Sequence, residues 1–152
     1  IDDGFGGSVP ATQVFDIDSY DGIVNGGIGK NKLLGTFGAD DYLIKSYEKF
    51  TKKTADVILD FNSSEGDKIT IASERIPKLS DSEFTFQSVR GKRNVKEAAK
   101  KDIDFIYDTN KGNLFFNSNG EDRGFGSKSD GGILLLLRGR PNVEASDIVL
   151  VD

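Results

Sequence analysis

Short apolar clusters separated by turns rich in glycine, asparagine and aspartate run along the whole chain of 152 residues. In the first stretch, Val14-Phe15 and Ile23-Val24 sit among Gly4, Gly6, Gly7, Asp16, Asp18 and Asp21, which reads as turns joined by very short strands. Apolar and polar residues alternate in Asp56-Val57-Ile58-Leu59-Asp60-Phe61 and again in Lys68-Ile69-Thr70-Ile71, and the intervening turn 62–67 predicts that the two form a β-hairpin. Residues 84–89, Phe105-Ile106-Tyr107, Leu114-Phe115-Phe116, 133–137 and 148–151 predict further strands, and the unbroken run Ile133-Leu134-Leu135-Leu136-Leu137 is expected to be buried on both faces. One short helix is expected over 95–101, because Asn94 and Glu97 have capping-box spacing. The fold class is therefore mainly β with one short helix.

Within this pattern lies an internal repeat. Gly26-Gly27-Ile28-Gly29-Lys30-Asn31-Lys32-Leu33-Leu34 and Gly35-Thr36-Phe37-Gly38-Ala39-Asp40-Asp41-Tyr42-Leu43 both fit G-G/T-x-G-x-N/D-x-U-x, with U a large apolar residue. Glycine at the first, second and fourth positions allows a tight turn to aim its carbonyls inward, and the sixth position adds a side-chain oxygen. The turn is half of a cation site. The eighth residue, Leu33 or Tyr42, starts a short core-facing strand, and stacking of such units forms a parallel β-roll with sites between its turns. Leu33, Leu34, Phe37 and Tyr42 are expected to form the core of these units. Residues 44–55 break the repeat with a lysine-rich loop.

Composition narrows the chemistry. With 36% hydrophobic and 30% charged residues the chain is a globular domain, and no stretch reaches the ~20 apolar residues of a membrane span. His 0 and Cys 0 remove histidine- and thiol-based nucleophiles, zinc sites, iron–sulfur clusters and disulfides. Oxygen ligands remain, from 25 Asp and Glu and from the backbone of 18 glycines, which suits Ca²⁺. No enzyme is expected: adjacent acids such as Asp40-Asp41 or Asp2-Asp3 point apart, and no substrate cleft is indicated. The segment 117–122 lacks the carboxylates of an EF-hand loop. A net charge of −5 argues against a nucleic-acid partner. The basic residues Lys49, Lys52, Lys53, Arg90, Lys92, Arg93, Lys96, Lys100 and Lys101 read as solvated charges, with anionic polysaccharide or a lipid headgroup as the alternative partner. Met 0 with Ile1 first suggests a processed product or an excised piece, with no secretory signal peptide at its start.

The repeat resembles the nonapeptides of the repeats-in-toxin (RTX), or hemolysin-type, calcium-binding proteins, and the downstream segments resemble the C-terminal domain of serralysin-like and other type I secreted proteins. Asp56–Phe61 with Gly66-Asp67-Lys68-Ile69 is similar to a "DxIxDF…GDKI" segment, 105–116 to "YDxxTGxLxYD", and 141–151 to "PxLxASDFxxV". The resemblance runs from about residue 26 onward and implies a short calcium-loaded β-roll (1–55) packed on a β-sandwich-like C-terminal cap (56–152), as a single folding unit. It implies a noncatalytic, extracellular or cell-surface module. An export signal would lie at Asp147, Ile148, Val149, Leu150 and Val151, and the partners would be calcium, the upstream domains of a parent protein and the type I export machinery. A structural or adhesive assembly protein, binding its own copies or polysaccharide, is the alternative.

Departures from the family pattern bear on calcium. Asn31 replaces the usual carboxylate, and the adjacent turns would not close a site on each other, since family sites lie between turns two repeats apart. The metal-ligating set is therefore expected to comprise Gly26, Gly27, Gly29 and Asn31 of one turn and Gly35, Gly38 and Asp40 of the next, completed by Asp56 and Asp60. With few carboxylates per site, the expected affinity is that of extracellular modules, ~10⁻⁴–10⁻³ M.

Overall fold

The computed structural model describes residues 13–15, 23–27, 29–44, 49–72, 74, 76, 79 and 83–151. The turn residues Gly4, Gly6, Gly7, Asp16, Asp18 and Asp21 lie outside them. The described chain is mainly β. Its strands are β1 (Gln13–Phe15), β2 (Ile23–Asn25), β3 (Lys32–Leu34), β4 (Asp41–Ile44), β5 (Asp56–Ile58), β6 (Lys68–Ala72), β7 (Phe86–Val89), β8 (Phe105–Asp108), β9 (Asn113–Phe116), β10 (Gly132–Leu137) and β11 (Ile148–Val151), with one helix, α1 (Lys92–Ala98).

A seven-stranded sheet has the order β1-β3-β5-β10-β9-β8-β7, and a four-stranded sheet the order β11-β6-β4-β2. The first six strands thus alternate between the sheets, and every pairing among them is parallel. Ile23 of β2 lies beside Asp41 of β4, two nine-residue units further on. This register sets the eighth-position Tyr42 beside Val24, and each eighth position lies in a row of apolar residues. Val14 pairs with Leu33 and Leu33 with Ile58 in the larger sheet, while Val24, Tyr42, Ile69 and Ile148 align across the smaller one. Val24, Leu33, Tyr42, Ile58 and Ile69 have no solvent exposure, and together with Phe105, Tyr107, Leu114, Phe116 and Leu135 they form one core. Each such apolar side chain contributes about 1.5–3 kcal/mol on burial.

Several sequence expectations are corrected. Segments 56–61 and 68–71 do not form a hairpin, because β5 and β6 belong to different sheets. Local alternation records that each strand has a buried face but not which strand it pairs with. Among the described residues a short turn joins the antiparallel strands β8 and β9. The helix begins at Lys92, not at 95, and no capping box forms at Asn94, whose side-chain amide donates to the Arg90 carbonyl at 2.8 Å. Gly91 stands at the cap with φ 89, and Val95 and Ala98, followed by Ala99, pack on Ile106 while Lys92, Arg93 and Lys96 face solvent. Phe37 is not core: it is 89% exposed at the tip of its turn. Leu34 is half-buried, and so are Ile133 and Leu136 of the run expected to be buried on both faces.

β10 joins the two kinds of pairing, lying parallel to β5 on one side and antiparallel to β9 on the other. β11 adds in parallel to β6. Among the described residues no helix is long and apolar enough to cross a membrane.

Candidate functional site: two stacked turn edges

Because successive strands change sheet, the Gly26 turn (between β2 and β3) and the Gly35 turn (between β3 and β4) lie at opposite edges of the coil. Each stacks on a later turn at its own edge. The sixth-position N–H of the first repeat, Asn31, donates to Asp56 Oδ1 at 2.8 Å, and the Asn31 carbonyl accepts from Val57. The second repeat makes the same pair of bonds: the Asp40 N–H donates to Asp67 Oδ1 at 2.9 Å and its carbonyl accepts from Lys68. Asp56 and Asp67 are therefore the sixth-position residues of the next coil, followed two places later by buried Ile58 and Ile69. The sequence points to Asp56 as a partner for these turns but not to Asp67. The signal for it is Asp-x-apolar spacing: Asp67-Lys68-Ile69 repeats the pattern of Asp40-Asp41-Tyr42 with a single preceding glycine, Gly66.

The first glycine of each repeat is required for space. A Cβ on Gly26 would lie 2.8 Å from Asn31 Nδ2 and 2.9 Å from Leu33 Cδ2, and one on Gly35 would overlap Asp40 Oδ2 and the Tyr42 hydroxyl. In both repeats the first position makes room for the sixth and eighth. Left-handed backbone is confined to the first repeat, at Gly27 (φ 73) and Gly29 (φ 88). Gly38 lies half-buried in the bend that follows Phe37.

The two edges differ in charge. At the Gly26 edge Asp56 is joined by donors: Asn31 Nδ2 donates to the Gly29 carbonyl at 3.1 Å, and Lys30 Nζ donates to the carbonyls of Lys52 and Ala55 at 2.8 and 3.0 Å. Partial burial lowers the Lys30 pKa, with the Asp56 charge opposing and Lys52 assisting that shift. Facing it, Thr54 Oγ1 donates to the Lys49 carbonyl, which keeps the 51–54 turn closed on itself.

At the Gly35 edge the inward groups are acids. Asp40 is fully buried and accepts from the Thr36 N–H at 2.7 Å and the Thr36 hydroxyl at 2.9 Å. Asp60 accepts from the Gly35 N–H at 3.0 Å and from the Tyr42 hydroxyl at 2.6 Å. Asp67 also accepts from the Asn62 N–H at 2.9 Å. Burial pushes the Asp67 carboxyl up to about 6 against the pull of these N–H groups, and the Asp40 and Glu65 charges push the same way. Burial, the bond to Asp60 and the charges of Asp60, Asp67 and Asp40 raise the Tyr42 phenol far above its ordinary value. An open cleft of 390 Å³ lies beside this cluster, lined by Leu34, Gly35, Thr36, Phe37, Asp60, Asn62 and Glu65.

The structure thus brings Asn31 together with Asp56, and Gly35 and Asp40 into one cluster with Asp60 and Asp67; it does not bring the two turns together. Among the described residues no three acidic side chains alone form a metal-holding group, so any cation here would also need backbone oxygens. At the other end of the chain, Asp147 is buried: its carboxylate accepts from the Ser63 hydroxyl and the Glu144 N–H, both at 2.8 Å. Ile148 is buried, Leu150 half-buried, and Val149 and Val151 are each 37% exposed. The 117–122 segment is wired to itself, with Asn117 Nδ2 donating to the Ala99 and Gly120 carbonyls and Asn117 Oδ1 accepting from the Asn119 N–H.

Comparison of the chain with known family models, curated proteins and solved structures gives no match.

Proposed function

We propose that the alternating parallel strands are a short β-roll of RTX type and that this chain is a noncatalytic, calcium-responsive C-terminal module of an exported protein. One observation carries the reading: Val24 and Tyr42 stack at the register of two nonapeptides, and in both repeats the first glycine makes room for the sixth and eighth residues. A resemblance confined to composition would not place those three positions against one another twice.

On this reading a cation is taken at the Gly35 edge, where Asp60, Asn62 and Glu65 line the open cleft and Asp40 and Asp67 add negative charge behind it. Calcium uses oxygen from carboxylates, amides and carbonyls at 2.3–2.6 Å, and that edge supplies all three. Export would precede folding, since in the folded chain the 147–151 segment is paired with β6 and its buried residues are out of reach of a receptor. Calcium outside the cell would then favour the folded form.

The test is a calcium titration followed by circular dichroism and thermal melting. A rise in melting temperature that saturates in the millimolar range, and is lost in Asp60→Asn, supports the reading. An unchanged melting temperature up to 10 mM, about ten times the weakest extracellular affinity, removes the calcium role.

A further inference from the structure

We infer that Lys30 is a built-in cation: its ammonium occupies the place between the two stacked turns of the Gly26 edge that a metal ion would otherwise take, so this edge is locked without calcium. The inference rests on the stacked-turn reading above, but its main test does not require calcium to bind anywhere.

The geometry is specific to this edge. Lys30 belongs to the first repeat, and its Nζ reaches across to the following coil, 2.8 Å from the Lys52 carbonyl and 3.0 Å from the Ala55 carbonyl. These are oxygens of the kind calcium prefers, and Asp56, the next residue in the chain, acts electrostatically on the same ammonium. A divalent ion bound to the same carbonyls would lie within a few ångströms of a fixed positive charge and be strongly repelled. Of the two sixth-position residues near the ammonium, Asn31 carries no carboxylate and turns its donating amide toward the Gly29 carbonyl. Asp56 is engaged by the Asn31 N–H. Donors thus stand where the opposite edge has acceptors.

The corresponding fifth position of the second repeat is Ala39, which has no charge to offer, and that edge is the one that gathers acids. The neutral Asn31 at position six and the Lys30 beside it therefore act together: a neutral oxygen and an ammonium stand in for a carboxylate and a bound ion.

Thermal melting in EDTA decides the matter. Lys30→Met keeps most of the apolar stem and removes the ammonium; its melting temperature is expected to fall by roughly 2–4 °C in EDTA, and by the same amount in calcium. An unchanged melting temperature in EDTA would overturn the proposal. Lys30→Asp restores an acceptor, and its melting temperature is expected to rise with calcium by more than the parent's does. A calcium response no larger than the parent's would show that the ammonium does not stand in a cation position. If the parent shows no calcium response but Lys30→Met is destabilised in EDTA, the calcium reading of the Gly35 edge fails while the built-in cation survives.

Discussion

The Tyr42 hydroxyl donates to Asp60 across the stacked turns at 2.6 Å, so the eighth residue of one coil, whose ring is fully buried, also holds the turn of the next. The bond crosses from the core to the rim. Tyr42→Phe keeps the ring and removes the donor. It is expected to cost about 1–3 kcal/mol, the range for a hydrogen bond to a charged group, toward the low end because Asp60 is only half-buried. Urea unfolding gives the value, and an unchanged midpoint would show that water replaces the phenol at no cost.

Gly35 and Gly27 separate two reasons for glycine. A Cβ at Gly35 meets Asp40 and Tyr42, whereas Gly27 has open space around it and a φ of 73. Gly35→Ala is expected to lose about 1–3 kcal/mol through overpacking and to disturb the Asp40 and Asp60 bonds. Gly27→Ala is expected to lose about 1–2 kcal/mol from backbone strain alone and to leave those bonds intact. Amide exchange at Thr36 and Gly35 distinguishes them: faster exchange is expected only in the first variant.

Asp67 makes stability depend on pH. Burial raises its carboxyl from 3.8 to about 6, so the folded chain holds this proton more tightly than the unfolded chain. Its contribution is fully present below about pH 4 and is lost as pH rises through 6, by at most about 3 kcal/mol at 1.36 kcal/mol per unit. The difference in unfolding free energy between the parent and Asp67→Asn, measured from pH 4 to 7, is expected to change in that direction. A difference flat across the range would mean that the N–H groups of Asp40 and Asn62 fully offset the burial.

Asn117 is fully buried and ties the loop after β9 to the end of α1 through the Ala99 carbonyl. Asn117→Ala leaves two carbonyls and one N–H without their partner and is expected to cost about 2–4 kcal/mol. Hydrogen exchange should rise first at Asn119 and in the neighbouring turn.

The repeat positions were legible because glycine and large apolar residues at fixed spacing leave few foldings open: Leu33 and Tyr42 are buried as their positions require. Asp67 escaped because its turn carries one glycine, Gly66, where the pattern asks for three, and a 3-10 turn at Ser63–Glu65, capped by Asn62, does the turning instead. Phe37 misled because hydrophobicity alone does not tell a core residue from one at the tip of a turn. The pairing of β5 with β10 was out of reach for a different reason: a contact between segments so far apart in sequence leaves no local pattern. The charge difference between the edges was visible as Lys30-Asn31 against Ala39-Asp40, but its meaning depends on which carbonyls lie opposite.

The placement of β10 between β5 and β9, and of β11 beside β6, sets an order of events. The middle of the larger sheet is missing until residues 132–137 arrive, and the smaller sheet lacks a flank until 148–151 arrive. A ribosome makes these pieces after the strands they join. The nascent polypeptide therefore cannot complete either sheet from its first six strands alone, and the stretch 132–151 is the keystone that closes both.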